Sequence, residues 1–93
     1  MDKLFYPAIF HKAEEGGFWI SFPDFLECFS QGEAMTQAYE MAVDALGLCI
    51  SDIENKKGKL PMPTAPTDVL IDTESILVAV EYDKAKYDCY KKD

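Results

Sequence analysis

Two segments near opposite ends of the chain, Leu4 to His11 (LFYPAIFH) and Ser75 to Tyr82 (SILVAVEY), are apolar at nearly every position instead of every second one. A strand with one wet face alternates apolar and polar side chains, so a run apolar on both alternating sets reads as a strand covered on both faces. The sheet therefore needs a layer on each side, and the second segment reads as a buried or central strand. Pro7 adds a condition. Having no N–H, it must sit where that donor would meet no neighbouring strand, or in a bulge.

Lys12-Ala13-Glu14-Glu15-Gly16-Gly17 reads as a hairpin turn and Phe18 to Phe22 (FWISF) as a second strand closed by Pro23-Asp24. Cys28-Phe29-Ser30 is a short third strand leading into Gln31-Gly32, where glycine permits a turn with positive φ. From Glu33 to about Asn55 the apolar spacing becomes three and four. Met35, Ala38, Ala42, Ala45, Leu46, Cys49 and Ile53 form one stripe, widened by Ala34, Met41 and Leu48, with Glu40, Asp44 and Ser51 opposite and Gly47 on the far surface. This predicts one long amphipathic helix, stopped by Gly58, with Lys56 and Lys57 at the negative end of its dipole. Pro61, Pro63 and Pro66 make the following segment an extended spacer.

The order strand, strand, strand, helix, strand predicts an α+β, two-layer β-β-β-α-β fold: an antiparallel meander, a crossover helix and a fourth strand. The crossover is right-handed by default. Residues 1–82 form the domain and 83–93 a charged tail or linker stub with a possible short C-terminal helix. Tyr6, Phe10, Phe18, Phe22 and Phe29 read as core. The sheet face opposite the helix must be covered by the tail, a second subunit or a partner, which predicts association as a dimer or higher homo-oligomer.

Charge narrows the partners. Nine Lys and Arg face seventeen Asp and Glu, a formal net charge of -8. Such a surface repels phosphate and argues against nucleic-acid binding, whereas a basic protein is steered toward it. No signal peptide precedes the first strand, no run reaches the roughly 18 apolar residues of a membrane span, and the cysteines Cys28, Cys49 and Cys89 are odd in number and scattered. A cytoplasmic protein with no membrane contact is expected.

No enzyme is expected. His11 is the sole histidine, and neither it nor the cysteines carry the local signature of a nucleophile pair or the paired spacing of metal ligands. Gly16-Gly17 lacks the following helix of a phosphate loop. The first strand holds no carboxylate that would position a metal for phosphodiester hydrolysis. Catalytic, metal and cofactor sites are therefore predicted to be absent.

Tyr6-Pro7-Ala8-Ile9-Phe10, Gly16-Gly17-Phe18-Trp19-Ile20, Phe22-Pro23-Asp24-Phe25, Cys28-Phe29-Ser30-Gln31-Gly32-Glu33 and Gln37-Ala38 with Ala42 and Ala45-Leu46, in this order and spacing, resemble the HicB antitoxin family. The resemblance covers roughly residues 4 to 64, and Pro61, Pro63 and Ile76 to Tyr82 extend it. It implies a partial RNase H-like fold without nuclease activity. It also implies an antitoxin of a type II toxin-antitoxin system that binds and neutralises a HicA-like toxin, a small basic mRNA-cleaving protein. The alternative is a non-catalytic oligomerisation domain of a transcriptional regulator whose DNA-binding part is missing from this chain.

Three features depart from the family pattern. Phe25-Leu26-Glu27 stands where a Leu-Pro-Gly turn is usual, and Ala34 and Gln37 replace the Thr and Glu of a capping box, a loss of about 1 kcal/mol. The chain also stops at Asp93, where the family commonly begins a C-terminal DNA-binding domain, so no direct DNA binding is expected and truncation is the favoured account. The acidic residues Glu14, Glu15, Asp24, Glu27, Glu40 and Asp44, with Trp19 as an apolar anchor, are the candidate partner-binding residues.

Overall fold

In the computed structural model, which describes residues 3–83, the first hairpin is closed by Ala13, whose N–H donates to the Gly17 carbonyl (3.0 Å) and whose carbonyl accepts from Gly16 N–H (3.1 Å). Gly16 and Gly17 both take positive φ, 101° and 78°, which suits residues without a Cβ. The turn joins β1 (Lys3–Lys12) to β2 (Phe18–Phe22), and a second tight turn at Pro23-Asp24 leads into β3 (Phe25–Gly32). The helix α1 (Met35–Asn55) follows, then a Pro-rich segment with a 3-10 turn at Pro66–Asp68, then β4 (Ser75–Asp83). All four strands form one antiparallel sheet in the order β3-β2-β1-β4. The α+β, β-β-β-α-β architecture is the one expected from the sequence. The charged tail and its possible helix lie outside the described residues.

The fourth strand is an edge strand, neither buried between neighbours nor central, and β1 takes the inner place. β3 runs with β1 and β4 against it, so the helix connects antiparallel strands at opposite edges. The handedness expected for a parallel crossover has no bearing on that connection. Pro7 meets its condition: the β1–β2 ladder starts only at Ile9, so no donor is required of Pro7 on the β2 side.

The core lies between the sheet and α1. Tyr6, Ala8 and Phe10 of β1, Ile20 and Phe22 of β2, Phe25 and Cys28 of β3 and Val80 and Tyr82 of β4 pack against Ala38, Ala42, Leu46 and Ile50. Phe29, expected in the core, is 61% exposed. The β2–β3 register pairs Ser21 with Phe29 but Phe22 with Phe25, so 26–28 form a bulge that turns Phe25 inward, edge-on to Tyr6 at 4.7 Å, and Phe29 outward. A bulge changes which residues share a face, and simple alternation cannot show it.

The expected stripe packs through Ala38, Ala42, Ala45, Leu46, Cys49 and Ile53, with Met35 exposed, but its flanks differ. Gly47 is buried, while Ala34, Met41 and Leu48 are exposed, because the packed side runs through Tyr39, Val43 and Ile50. Close approach explains part of this: a Cβ on Gly32 would lie 2.5 Å from the Ala38 Cα, so Gly32 is needed for helix-to-sheet contact and not for the positive φ expected of it. At the N-terminus Ala34 offers no side-chain cap, but Gln37 Oε1 accepts the Glu33 N–H at 2.7 Å. At the C-terminus Gly58 N–H donates to the Ile53 carbonyl (2.9 Å) and Lys57 N–H to that of Glu54 (3.0 Å), a Schellman pattern. Its left-handed position is held by Lys57 at φ 60°, not by Gly58.

Candidate partner-binding surface

The odd-numbered residues of β1 and β4 point to the sheet face away from α1, and the strand register arranges them with their neighbours in rows. One row holds Gln31, Trp19, His11 and Ser75; the next holds Phe29, Ser21, Ile9 and Leu77. Nearer the chain ends come Pro7 with Ala79 and Phe5 with Glu81. This is the second apolar set that made the strands look doubly covered.

Part of the cover comes from the chain itself. Leaving α1, the Pro-rich segment passes the sheet end, where Tyr6 Oη donates to the Pro61 carbonyl (2.7 Å). Thr64 then donates its N–H and its hydroxyl to the two carboxylate oxygens of Asp24, at 3.0 and 2.6 Å. Held there, residues Pro63 to Pro66 lie over Phe5, Pro7, Leu77 and Ala79, leaving an apolar groove of about 400 Å³ between them. Burial, then the Asp24 charge, raises the Tyr6 phenol above its ordinary pKa, which keeps it a hydrogen-bond donor. The sequence reading of this segment as a spacer left out its service as a partial second layer.

Beyond the Pro-rich cover the face stays open. Phe29 is 61% and Trp19 44% exposed, with Ile9 in the Phe29 row, one strand beyond Ser21. Trp19 is held rigidly: His11 stacks on it with ring centroids 3.7 Å apart and planes 10° from parallel, and His11 Nε2 shares a hydrogen bond with Ser21 Oγ at 2.9 Å. Desolvation lowers the His11 pKa, against an opposing pull from Asp72, so the imidazole is neutral at pH 7. Asp72 is itself held below the usual carboxylate range by hydrogen bonds from the Ser75 side chain and the Glu74 N–H. The centre of the face is thus uncharged, and carboxylates stand at its margins, with Glu14 and Glu15 in the hairpin and Asp72 and Glu74 before β4.

The candidate residues do not share one surface. Trp19 lies in the open face, Glu14 and Glu15 at its hairpin end, and Glu27 in the exposed bulge of β3. Glu40 and Asp44 are exposed on α1, the other layer. Asp24 is engaged by Thr64 and positions the Pro-rich segment. Sequence reasoning passed over His11, Ile9 and Phe29 as surface residues. The odd-position spacing of the first two was available; the Phe29 position depends on the bulge.

Cys28 lies on the opposite face from His11, buried, with its Sγ donating to the Ala45 carbonyl at 3.4 Å. Burial, then neighbouring Cys49, pushes its thiol far above the usual range, so it remains protonated and inert. Among the described residues no three His, Cys, Asp or Glu side chains gather as metal ligands, and no helix is long and apolar enough to cross a membrane.

The chain is a small two-layer α+β module, a four-stranded sheet with one helical layer and a second face uncharged at its centre and acidic at its margins. Its family is equally plain: residues 6–89 match the HicB_like antitoxin of bacterial toxin-antitoxin system, and the chain belongs to that family. It is 40% identical over 63 residues to Antitoxin HicB 1 of Photorhabdus laumondii, an overlap of 68% of this chain and 41% of that one. It is 36% identical over 59 residues to Antitoxin HicB of Escherichia coli K12, covering 63% of this chain and 43% of that one. The chain thus spans less than half the length of these relatives. Among solved structures, the toxin-antitoxin complex from Streptococcus pneumoniae contains a chain of the same fold, with TM-score 0.80 at 24% identity over 91% of this chain and 72% of the other. A chain of the HicA3 and HicB3 toxin-antitoxin complex matches with TM-score 0.70 and 31% identity, over 86% of this chain and 99% of the other.

Proposed function

We propose that this chain is the toxin-binding module of a type II antitoxin, acting in the cytoplasm without chemistry of its own, and that it neutralises a basic, HicA-like mRNA-cleaving toxin. The observation that carries this reading is the open sheet face, where rigidly stacked Trp19 and exposed Phe29 stand in an uncharged centre near carboxylates. Apolar centres slow dissociation and charged margins speed encounter, the two properties that inhibition of a toxin requires. The net charge of -8 favours a basic protein over RNA. The likeness to a chain of a HicA3 and HicB3 complex supports the same class of partner.

The test is co-purification with a small basic HicA-like toxin, followed by RNA cleavage by that toxin with and without this chain. Trp19→Ala and Phe29→Glu are expected to weaken binding by about 2 kcal/mol each, roughly thirtyfold, and to restore cleavage. Glu40→Lys, on the other layer, is expected to change affinity less than threefold. Full inhibition by the Trp19 and Phe29 variants, with their folds intact, would move the docking surface off this face. Failure of the unaltered chain to bind would remove the toxin reading altogether.

A further inference from the structure

We propose that the outer edge of β4 pairs with the same edge of a second copy of this chain, antiparallel about Val78, joining two four-stranded sheets into one. This pairing is independent of the toxin and follows from which backbone groups face outward. Ala13 N–H donates to Gly17 across the first hairpin, which sets the odd residues of β1 toward β2 and, by antiparallel alternation, the even ones toward β4. Tyr6, Ala8 and Phe10 stand opposite Val80, Val78 and Ile76, so those are the hydrogen-bonded pairs of the β1–β4 ladder. The odd residues of β4 therefore turn their N–H and C=O groups away from β1.

Both ends of that outer row confirm the direction and are already occupied. Ser75 N–H donates to the Asp72 carbonyl at 3.3 Å, and Glu81 N–H reaches Tyr39 Oη of α1 at 3.4 Å. Between them lie Leu77 and Ala79, whose outward groups face no strand in the sheet. A twofold axis at Val78 sets Leu77 opposite the second copy's Ala79 and Ala79 opposite the second copy's Leu77, so each copy donates two bonds and accepts two. Ser75 and Glu81 then face one another across the axis, and neither end contact has to break. An edge open at two residues placed symmetrically about a third is self-complementary, as an isologous interface requires.

The side chains agree. The window from Ile76 to Val80 carries no charge, and Glu81 falls opposite Ser75, so the two acidic chains do not set like charges against each other in the pair. On the helix side Ile76 is 42% exposed and Val78 half-buried, since α1 leaves this end of β4 partly uncovered. A second β4 places its own Val80 and Val78 beside them. The opposite edge of the sheet is blunted by the bulge at 26–28 and by Glu27, whereas β4 keeps an unbroken nine-pair register with β1 and has no proline. Natural sheets protect edges by such devices, and the window from Ile76 to Val80 of β4 has neither a bulge nor a charge.

The test is mass by light scattering and residue-level amide exchange on the full chain at high micromolar concentration, then on dilution. A particle of twice 10.5 kDa is expected, with Leu77 and Ala79 amides protected in the concentrated sample and exchanging on dilution. Ala79→Pro removes an outward N–H and spares the β1 ladder, and is expected to weaken association about thirtyfold. Val78→Cys is expected to give a dimer crosslinked through position 78 under oxidation, and Thr67→Cys none. A monomer at high concentration overturns the proposal, as does a dimer whose Leu77 and Ala79 amides exchange freely. Protection of those amides in a monomer also overturns it.

Discussion

Removing the Asp24 carboxylate separates its structural work from any role at a partner surface. Thr64 donates two bonds to it, one from the N–H at 3.0 Å and one from the hydroxyl at 2.6 Å, both part-buried. Bonds to a charged acceptor are worth about 1.5–3 kcal/mol where they are buried, and less where water competes. Asp24→Ala loses both, so a destabilisation of about 2 kcal/mol is expected, a fall in Tm of about 10 °C for a domain of this size. Thr64→Ala loses only the hydroxyl bond and should cost about 1 kcal/mol. The double variant should cost no more than Asp24→Ala alone, because the remaining bond is already gone, giving a coupling of about 1 kcal/mol. Thermal and urea unfolding of the four proteins measures this directly. Asp24→Ala within 2 °C of the unaltered chain, or strictly additive effects, would refute the claim that this pair anchors the Pro-rich segment.

Other substitutions probe the remaining joints. Lys57→Gly relieves a left-handed residue at the helix end and should raise stability by about 0.5–1 kcal/mol in urea unfolding, where Gly58→Ala should lower it by crowding Ile53. Gly32→Ala drives a methyl into the Ala38 backbone and should cost about 3 kcal/mol, or abolish folding, as read by circular dichroism. His11 has a folded-state pKa below its unfolded value, so the unfolded chain binds the extra proton first as pH falls. Stability should therefore decline below about pH 6.5, the unfolded value, and level off once the folded-state pKa is passed. His11→Gln should remove that part of the decline, and an unchanged pH profile would place its origin in another group.

The local pattern was enough for the strand and helix periods, the hairpin glycines, the single helix and its position between the third and fourth strands, because each depends on side-chain spacing along a few residues. The family was legible for the same reason, in short pieces whose order and spacing survive in one dimension. What the chain did not disclose lay in contacts between distant residues. Apolar runs on both alternating sets were equally compatible with a central or an edge fourth strand, and only the β1–β4 pairing decided for the edge. Phe29, expected in the core, faces outward because the bulge at 26–28 shifts the register, a property of two strands together. The Pro-rich segment was recognisably extended, but its path across the open face depends on Asp24 and Thr64, forty positions apart. Gly32 shows the same limit, since a glycine needed for close packing looks like any other until the surface it meets is in place, and Gly47, read as lying on the far surface, is buried. Spacing along the chain determined which elements form; the distances between elements decided which face stays open, the face proposed for partner docking.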